Sequence, residues 1–182
     1  VIAMFVGLAM AGGVHAGIPV HGVAGVGAPT FLTPNSGWTA AAPGGWVRVF
    51  VGATEAEGAA WYAHQLETMT VPAPDFVLPG VDAAAGDGDT FVAWQDGNVG
   101  VVVRVESGAG ALATRLRASV VEQAPAVTAR WRAGADVWVD APGAAAMRST
   151  SGGVILSDSA EFRRKPAEVY VWDAWGRVTV LR

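Results

Sequence analysis

"FVAWQDGNVGVVVRV", residues 91–105, is the stretch whose reading decides the fold. Two runs rich in Val, Phe and Trp flank Asp96-Gly97, a dipeptide that predicts a two-residue hairpin, because both central positions of a type I′ turn need positive φ. With Asp96 and Gly97 at the turn, Trp94 is expected opposite Val99, Val92 opposite Val101 and Phe91 opposite Val102. Side chains alternate along a strand, so Val92, Trp94, Val99, Val101 and Val103 should share one face. Phe91, Ala93, Gly100, Val102 and Arg104 should share the other.

Upstream, "WVRVFV" (residues 46–51) alternates Val47, Val49 and Val51 with Trp46, Arg48 and Phe50, the period of a strand with two unlike faces. Thr54 then precedes Glu57 by three residues, a capping-box spacing that predicts a helix running to residue 69. Its apolar stripe reads Ala59, Tyr62, Ala63, Leu66 and Met69, with Trp61 off the stripe. The stretch from residue 70 to the hairpin holds Pro72, Pro74 and Pro79 and no period. Connections of that length are uncommon in a compact domain, so it hides a short element or has a task of its own.

Downstream, Ser107 is a plausible N-cap, and Leu112, Ala113, Leu116 and Val120 make a second helical stripe ending near Pro125. "VTARWR", residues 127–132, reads as another short strand. The order strand, helix, strand, strand, helix, strand resembles the split βαβ, or ferredoxin-like, arrangement. The expectation is therefore an α+β fold: an antiparallel sheet with two helices on one face, plus a β-rich C-terminal extension. That extension, residues 133–182, carries "ADVWVD", "GGVIL" and a final hairpin in "AEVYVWDAWGRVTVL".

Composition bounds the function. At 182 residues and 52% apolar content, the chain is long enough for a real core. Its net charge of −4 argues against a nucleic-acid partner, whose affinity rests on phosphate neutralisation. There is no Cys, which removes disulfides, thiol nucleophiles and thiolate metal sites together. Residues 1–16 form an uncharged apolar run reaching Val14-His15-Ala16, which reads as a signal peptide cut after Ala16. Gly7, Gly12, Gly13 and His15 interrupt that run, so no stable membrane span is expected after cleavage. The expected divisions are then a Gly/Ala/Pro-rich linker over 17–45, the α+β core over 46–132 and the extension over 133–182. A bacterial periplasmic or secreted protein is the implied setting.

The sheet face away from the helices gathers Trp46, Arg48, Phe50, Phe91 and Arg104, and these are the candidate ligand-binding residues. The C-terminal extension is expected to lie over this face, as a second core or leaving a groove. Trp38 and Trp175 fall in expected loop or turn and are the candidate surface tryptophans. Asp82, Asp87 and Asp89 offer oxygen ligands to Ca²⁺, although the spacing is not that of an EF-hand. His64 is the imidazole inside the expected fold, and no nucleophile elbow, zinc, phosphate-loop or dinucleotide motif accompanies it. No catalytic residue and no cofactor is therefore assigned. The expected role is non-enzymatic: accessory, binding or assembly work in the envelope or outside the cell, with an envelope protein, peptide or glycan as partner. The alternatives are a small secreted hydrolase using His64 with a carboxylate or Ser, or a surface-assembly module pairing through an exposed β edge.

Overall fold

A computed structural model of the chain describes residues 16–31, 36–69, 76–121, 127–150 and 152–182. Six strands, β1 (Pro29–Phe31), β2 (Gly37–Ala42), β3 (Gly45–Val51), β4 (Ala83–Gly86), β5 (Phe91–Asp96) and β6 (Val99–Arg104), make one sheet. Its order is β1-β2-β3-β6-β5-β4 and every pairing is antiparallel. β4 is the short element hidden in the proline-rich connection. β1 and β2 come from the stretch expected to be a linker, which also sends Ile18, Val20 and Val23 into the core. The expected signal segment before Ala16 lies outside the described residues.

The β5–β6 hairpin forms with its register slid by two residues: Asp96 pairs with Val99, Trp94 with Val101 and Val92 with Val103. Gly97 and Asn98 are the turn residues, with Gly97 at φ 54°. Asn98 is held there by its buried amide, whose Nδ2 donates to the carbonyls of Ala16 and Gly52, each at 3.0 Å. Its Oδ1 accepts the Ala16 N–H, also at 3.0 Å. A slip of two keeps side-chain parity, so both expected faces survive it.

On one face Val47, Val49, Val51, Val92, Trp94, Val99, Val101 and Val103 are all fully buried. Helix α2 (Ala109–Ala118) lays Leu112, Ala113 and Leu116 into this valine face. Arg117 ties its far end to Asp96 at 2.9 Å. Ser107 does not cap it: Gly108 is the N-cap, at φ 77°, with no side-chain cap bond. The turn before β5 takes over, with the Asp89 and Gly88 carbonyls accepting the N–H groups of Ala109 and Gly110 at 2.7 and 2.8 Å.

Helix α1 (Glu55–Met69) starts as the Thr54–Glu57 spacing predicts. The Thr54 hydroxyl accepts the Glu57 N–H at 3.2 Å, and the Glu57 carboxylate reaches back to the Ala53 N–H at 2.7 Å. It packs on the opposite face from α2. Trp61 stacks on Phe50 with ring centroids 5.3 Å apart and planes 6° from parallel. Gly100 makes room for it, since a Cβ there would lie 2.5 Å from Trp61 Cε3. The inward stripe runs through Gly58, Trp61, Tyr62 and Gln65, while Ala59 and Ala63 are exposed.

The α+β class with antiparallel sheets holds, but the helices do not share a face. The strand expected at residues 127–132 also leaves this sheet. β7 (Arg130–Arg132) joins β8 (Ala135–Asp140) and β10 (Ser159–Glu161) in a three-stranded sheet of order β10-β8-β7. β9 (Ala144–Ser149), β11 (Val169–Asp173) and β12 (Val178–Leu181) form the third sheet, of order β12-β11-β9. The split βαβ arrangement, which needs that fourth strand and one-sided helices, is thus replaced by stacked β layers with a helix on each side of the largest sheet.

β11 explains the stacking, because each of its faces carries fully or nearly fully buried side chains. Val169 and Val171 join Met147 and Val139 in a second core against the β7–β8–β10 sheet. Trp172 points the other way, into the valine-face core, with its ring 5.4 Å from that of Phe31. The C-terminal extension therefore packs on the valine face beside α2, and not over Trp46 and Phe50 as expected. Trp38, expected at the surface, is fully buried on β2 with its indole N–H donating to the Ile18 carbonyl at 3.3 Å. No helix among the described residues is long and apolar enough to cross a membrane.

Candidate functional site

The five residues proposed as ligand-binding lie on one side of the largest sheet, because strand pairing fixes their rows. Trp46, Arg104 and Phe91 sit directly across from one another on β3, β6 and β5. Arg48 and Phe50 continue from Trp46 along β3, each about 7 Å further on. The two lines meet at Trp46. Among the described residues, α1 overlies the β5–β6 part of this side and leaves the β1–β2–β3 part beside it as a shelf. Thr30 and Ala41 on the shelf are exposed, and Thr39, Trp46, Arg48 and Phe50 are half-buried.

The shelf carries two stacked pairs side by side. One is Phe50 against Trp61, on the wall that α1 makes. The other is Arg48, whose guanidinium carbon lies 5.2 Å from the centre of the Trp46 ring. A cation over an indole face is favourable by about 0.5–1 kcal/mol when exposed. The Nε of Arg48 is buried and has no hydrogen-bond partner among the described residues. A buried donor without an acceptor costs about 1–3 kcal/mol. Arg104 is exposed directly across from Trp46, where the two lines meet. None of the residues that β1 to β6 place on this side is acidic. Trp61 is the member of this surface that the helical stripe missed, and Gly100 amid valines was its signal.

The three aspartates considered for Ca²⁺ are not brought together. β4 separates Asp82 from Asp87 and Asp89, and among the described residues no group of three or more His, Asp or Glu side chains is arranged to hold a metal. Each has a local task instead. Asp82 Oδ2 accepts the Gly97 N–H at 2.8 Å and so pins the hairpin turn. Asp87 Oδ1 accepts the N–H groups of Asp89, Thr90 and Phe91 at 2.8–2.9 Å, and Oδ2 accepts the Thr90 hydroxyl. Those donors, the Thr90 hydroxyl foremost and the Phe91 N–H next, lower the Asp87 pKa to about 2. Asp89 Oδ1 accepts the Gly108 N–H at 3.1 Å, which helps close the start of α2.

His64 is exposed on α1. A cavity of about 190 Å³ lies where the end of β3 meets the β11–β12 hairpin, walled by Ser36, Gly52, Ala53, Asp173, Arg177 and Thr179 among others. No imidazole lines it. Its buried carboxylate, Asp173, already accepts the Trp175 and Arg177 N–H groups at 2.8 and 3.0 Å and the Arg177 guanidinium. That arrangement closes a tight turn and leaves Asp173 poorly placed to act as a base. The outer edge of β12 is partly occupied as well, since the Ser36 hydroxyl accepts the Val178 N–H at 3.0 Å. In comparisons with known proteins, the chain matches no family model, no curated protein and no solved structure.

Proposed function

We propose that this is an exported, non-enzymatic binding protein that works in the envelope or outside the cell through the shelf beside α1. The observation that carries this reading is the line of half-buried Trp46, Arg48 and Phe50 on one side of the sheet, continued across it by exposed Arg104 and half-buried Phe91. Large aromatic surface held on rigid strands binds at low entropic cost, and arginines beside it supply directed donors. The apolar, cysteine-free start of the chain supports export. A hydrolase reading has less support, because His64 is not among the residues that line the cavity.

Co-sedimentation with isolated envelope fractions tests the reading. The wild-type chain should pellet with the fraction, and Trp46→Ala and Arg48→Ala should stay in the supernatant while melting like the parent. Equal pelleting of all three chains would reject the shelf as the working surface. Turnover in a hydrolase panel that disappears in His64→Ala would favour the enzyme instead.

A further inference from the structure

We infer that the leader is cut after Ala11, so that the exported chain begins at Gly12 and not at Gly17. The inference rests on the export proposed above and adds where the peptidase acts. Its ground is the bonding around residue 16. The Ala16 N–H donates to Asn98 Oδ1 and its carbonyl accepts from Asn98 Nδ2, both at 3.0 Å, and the Asn98 side chain is buried. Gly17 is itself buried and pairs with Val121 in both directions, at 3.0 and 2.8 Å. A Cβ on Gly17 would lie 2.7 Å from Trp175 Cβ, so the backbone here runs directly against that side chain. Ile18, next along, is fully buried.

A cut after Ala16 would turn the Gly17 amide into an ammonium at a buried position. A neutral amide with one acceptor suits that place, whereas a charged group with three donors is costly to take out of water. The same cut would remove both Ala16 groups that the buried Asn98 amide bonds. Neither cost arises when the cut lies upstream of residue 16. Signal peptidases need small residues at the first and third positions before the cut. His15 and Val14 fail at the first position, and Gly12 fails because Met10 stands third. Gly13, with Ala11 third, and Ala11, with Ala9 third, both satisfy the rule. Of these, Ala9-Met10-Ala11 is the A-x-A form, and residues 1–8 before it are an uncharged apolar run of the length a leader core needs, roughly 7–15 residues. Hydrolysis of the Ala11–Gly12 peptide bond consumes one water and leaves a carboxylate on Ala11 and a new amine on Gly12, four residues ahead of Ala16.

Intact-mass measurement on the protein recovered from the periplasm and medium of a bacterium expressing its own gene tests the site. The species found should begin at Gly12. Ala11→Gln should abolish that species and let the longer precursor accumulate, whereas Ala16→Gln, which spoils a cut after residue 16, should leave the Gly12 start unchanged. A purified chain beginning at Gly12 should also melt about 2–12 °C above one beginning at Gly17, the shift expected for keeping the Asn98 contacts. A start at Gly17 or at Val14, or an exported chain that is not cut, would overturn the inference and leave export standing. Equal melting of the two purified chains would remove its physical ground and overturn it as well. An uncut chain confined to the cytosol would overturn export together with the inference, and the envelope co-sedimentation would still decide the shelf.

Discussion

Replacing Gly100 by Ala places a methyl carbon 2.5 Å from Trp61 Cε3 and 2.8 Å from Cζ3, well inside ordinary contact. The neighbour is a ring stacked on Phe50 and attached to a helix, so relief requires α1 to lift or Trp61 to abandon its stack. Overpacking of this kind costs about 1–3 kcal/mol. Loss of backbone freedom in the unfolded chain gives back about 0.4–1 kcal/mol, because Gly100 is not at positive φ. The net expectation is a loss of roughly 1–2 kcal/mol, or about 2–8 °C in Tm for a chain of this size. The decisive assay is a double-mutant cycle by chemical denaturation. With Trp61→Ala as background the added methyl meets no ring, and Gly100→Ala should be neutral or slightly stabilising. If Gly100→Ala costs the same in both backgrounds, Trp61 does not sit over Gly100 and α1 is on the wrong side of the sheet.

Other expectations follow from single contacts. The Asp87 pKa is about 2 in the folded chain against 3.8 ordinarily, so its contribution is complete above pH 4 and is lost as pH falls toward 2. Asp87→Asn should therefore flatten the pH 2–4 part of the stability curve, measured by urea midpoints. Trp172→Ala empties a fully buried site between the first core and the β11 layer and should cost about 3–5 kcal/mol, read as a lower midpoint at similar m-value. A chain beginning at Gly17 loses both bonds between Asn98 and Ala16 and should be about 1–3 kcal/mol less stable than one beginning at Ala16 or earlier; equal melting would show that the Asn98 clasp contributes little.

The parts of the fold written in short-range patterns were legible. The existence of the β5–β6 hairpin, the two faces of its strands, the start and end of α1 and the inner stripe of α2 all follow from turn chemistry, alternation, capping and 3.6-residue spacing. What escaped was decided by partners distant in sequence. Residues 17–45 looked like linker because β1 and β2 are short and rich in Ala, Gly and Thr, yet Phe31 is anchored by Trp172, far away along the chain, and Trp38 by Ile18, twenty residues before it. The side taken by α1 turned on one glycine, since alternation alone cannot say which face a helix will choose. The hairpin register moved because the buried bonds of Asn98 outweigh the preference for Asp-Gly at the turn centre. For the site, parity was enough to place Trp46, Arg48, Phe50, Phe91 and Arg104 on one side. It could not reveal that the extension would cover the other side and leave a shelf here.

The shelf exists only if the two helices flank one sheet, and a NOESY spectrum of the labelled protein reads that directly. The Gly100 Hα protons should be shifted upfield by the indole and show cross-peaks to the Trp61 ring, while the Leu116 methyls show them to the valine face. Cross-peaks from the Trp61 ring to the methyls of Val49 or Val101 would put both helices on that face and contradict the account.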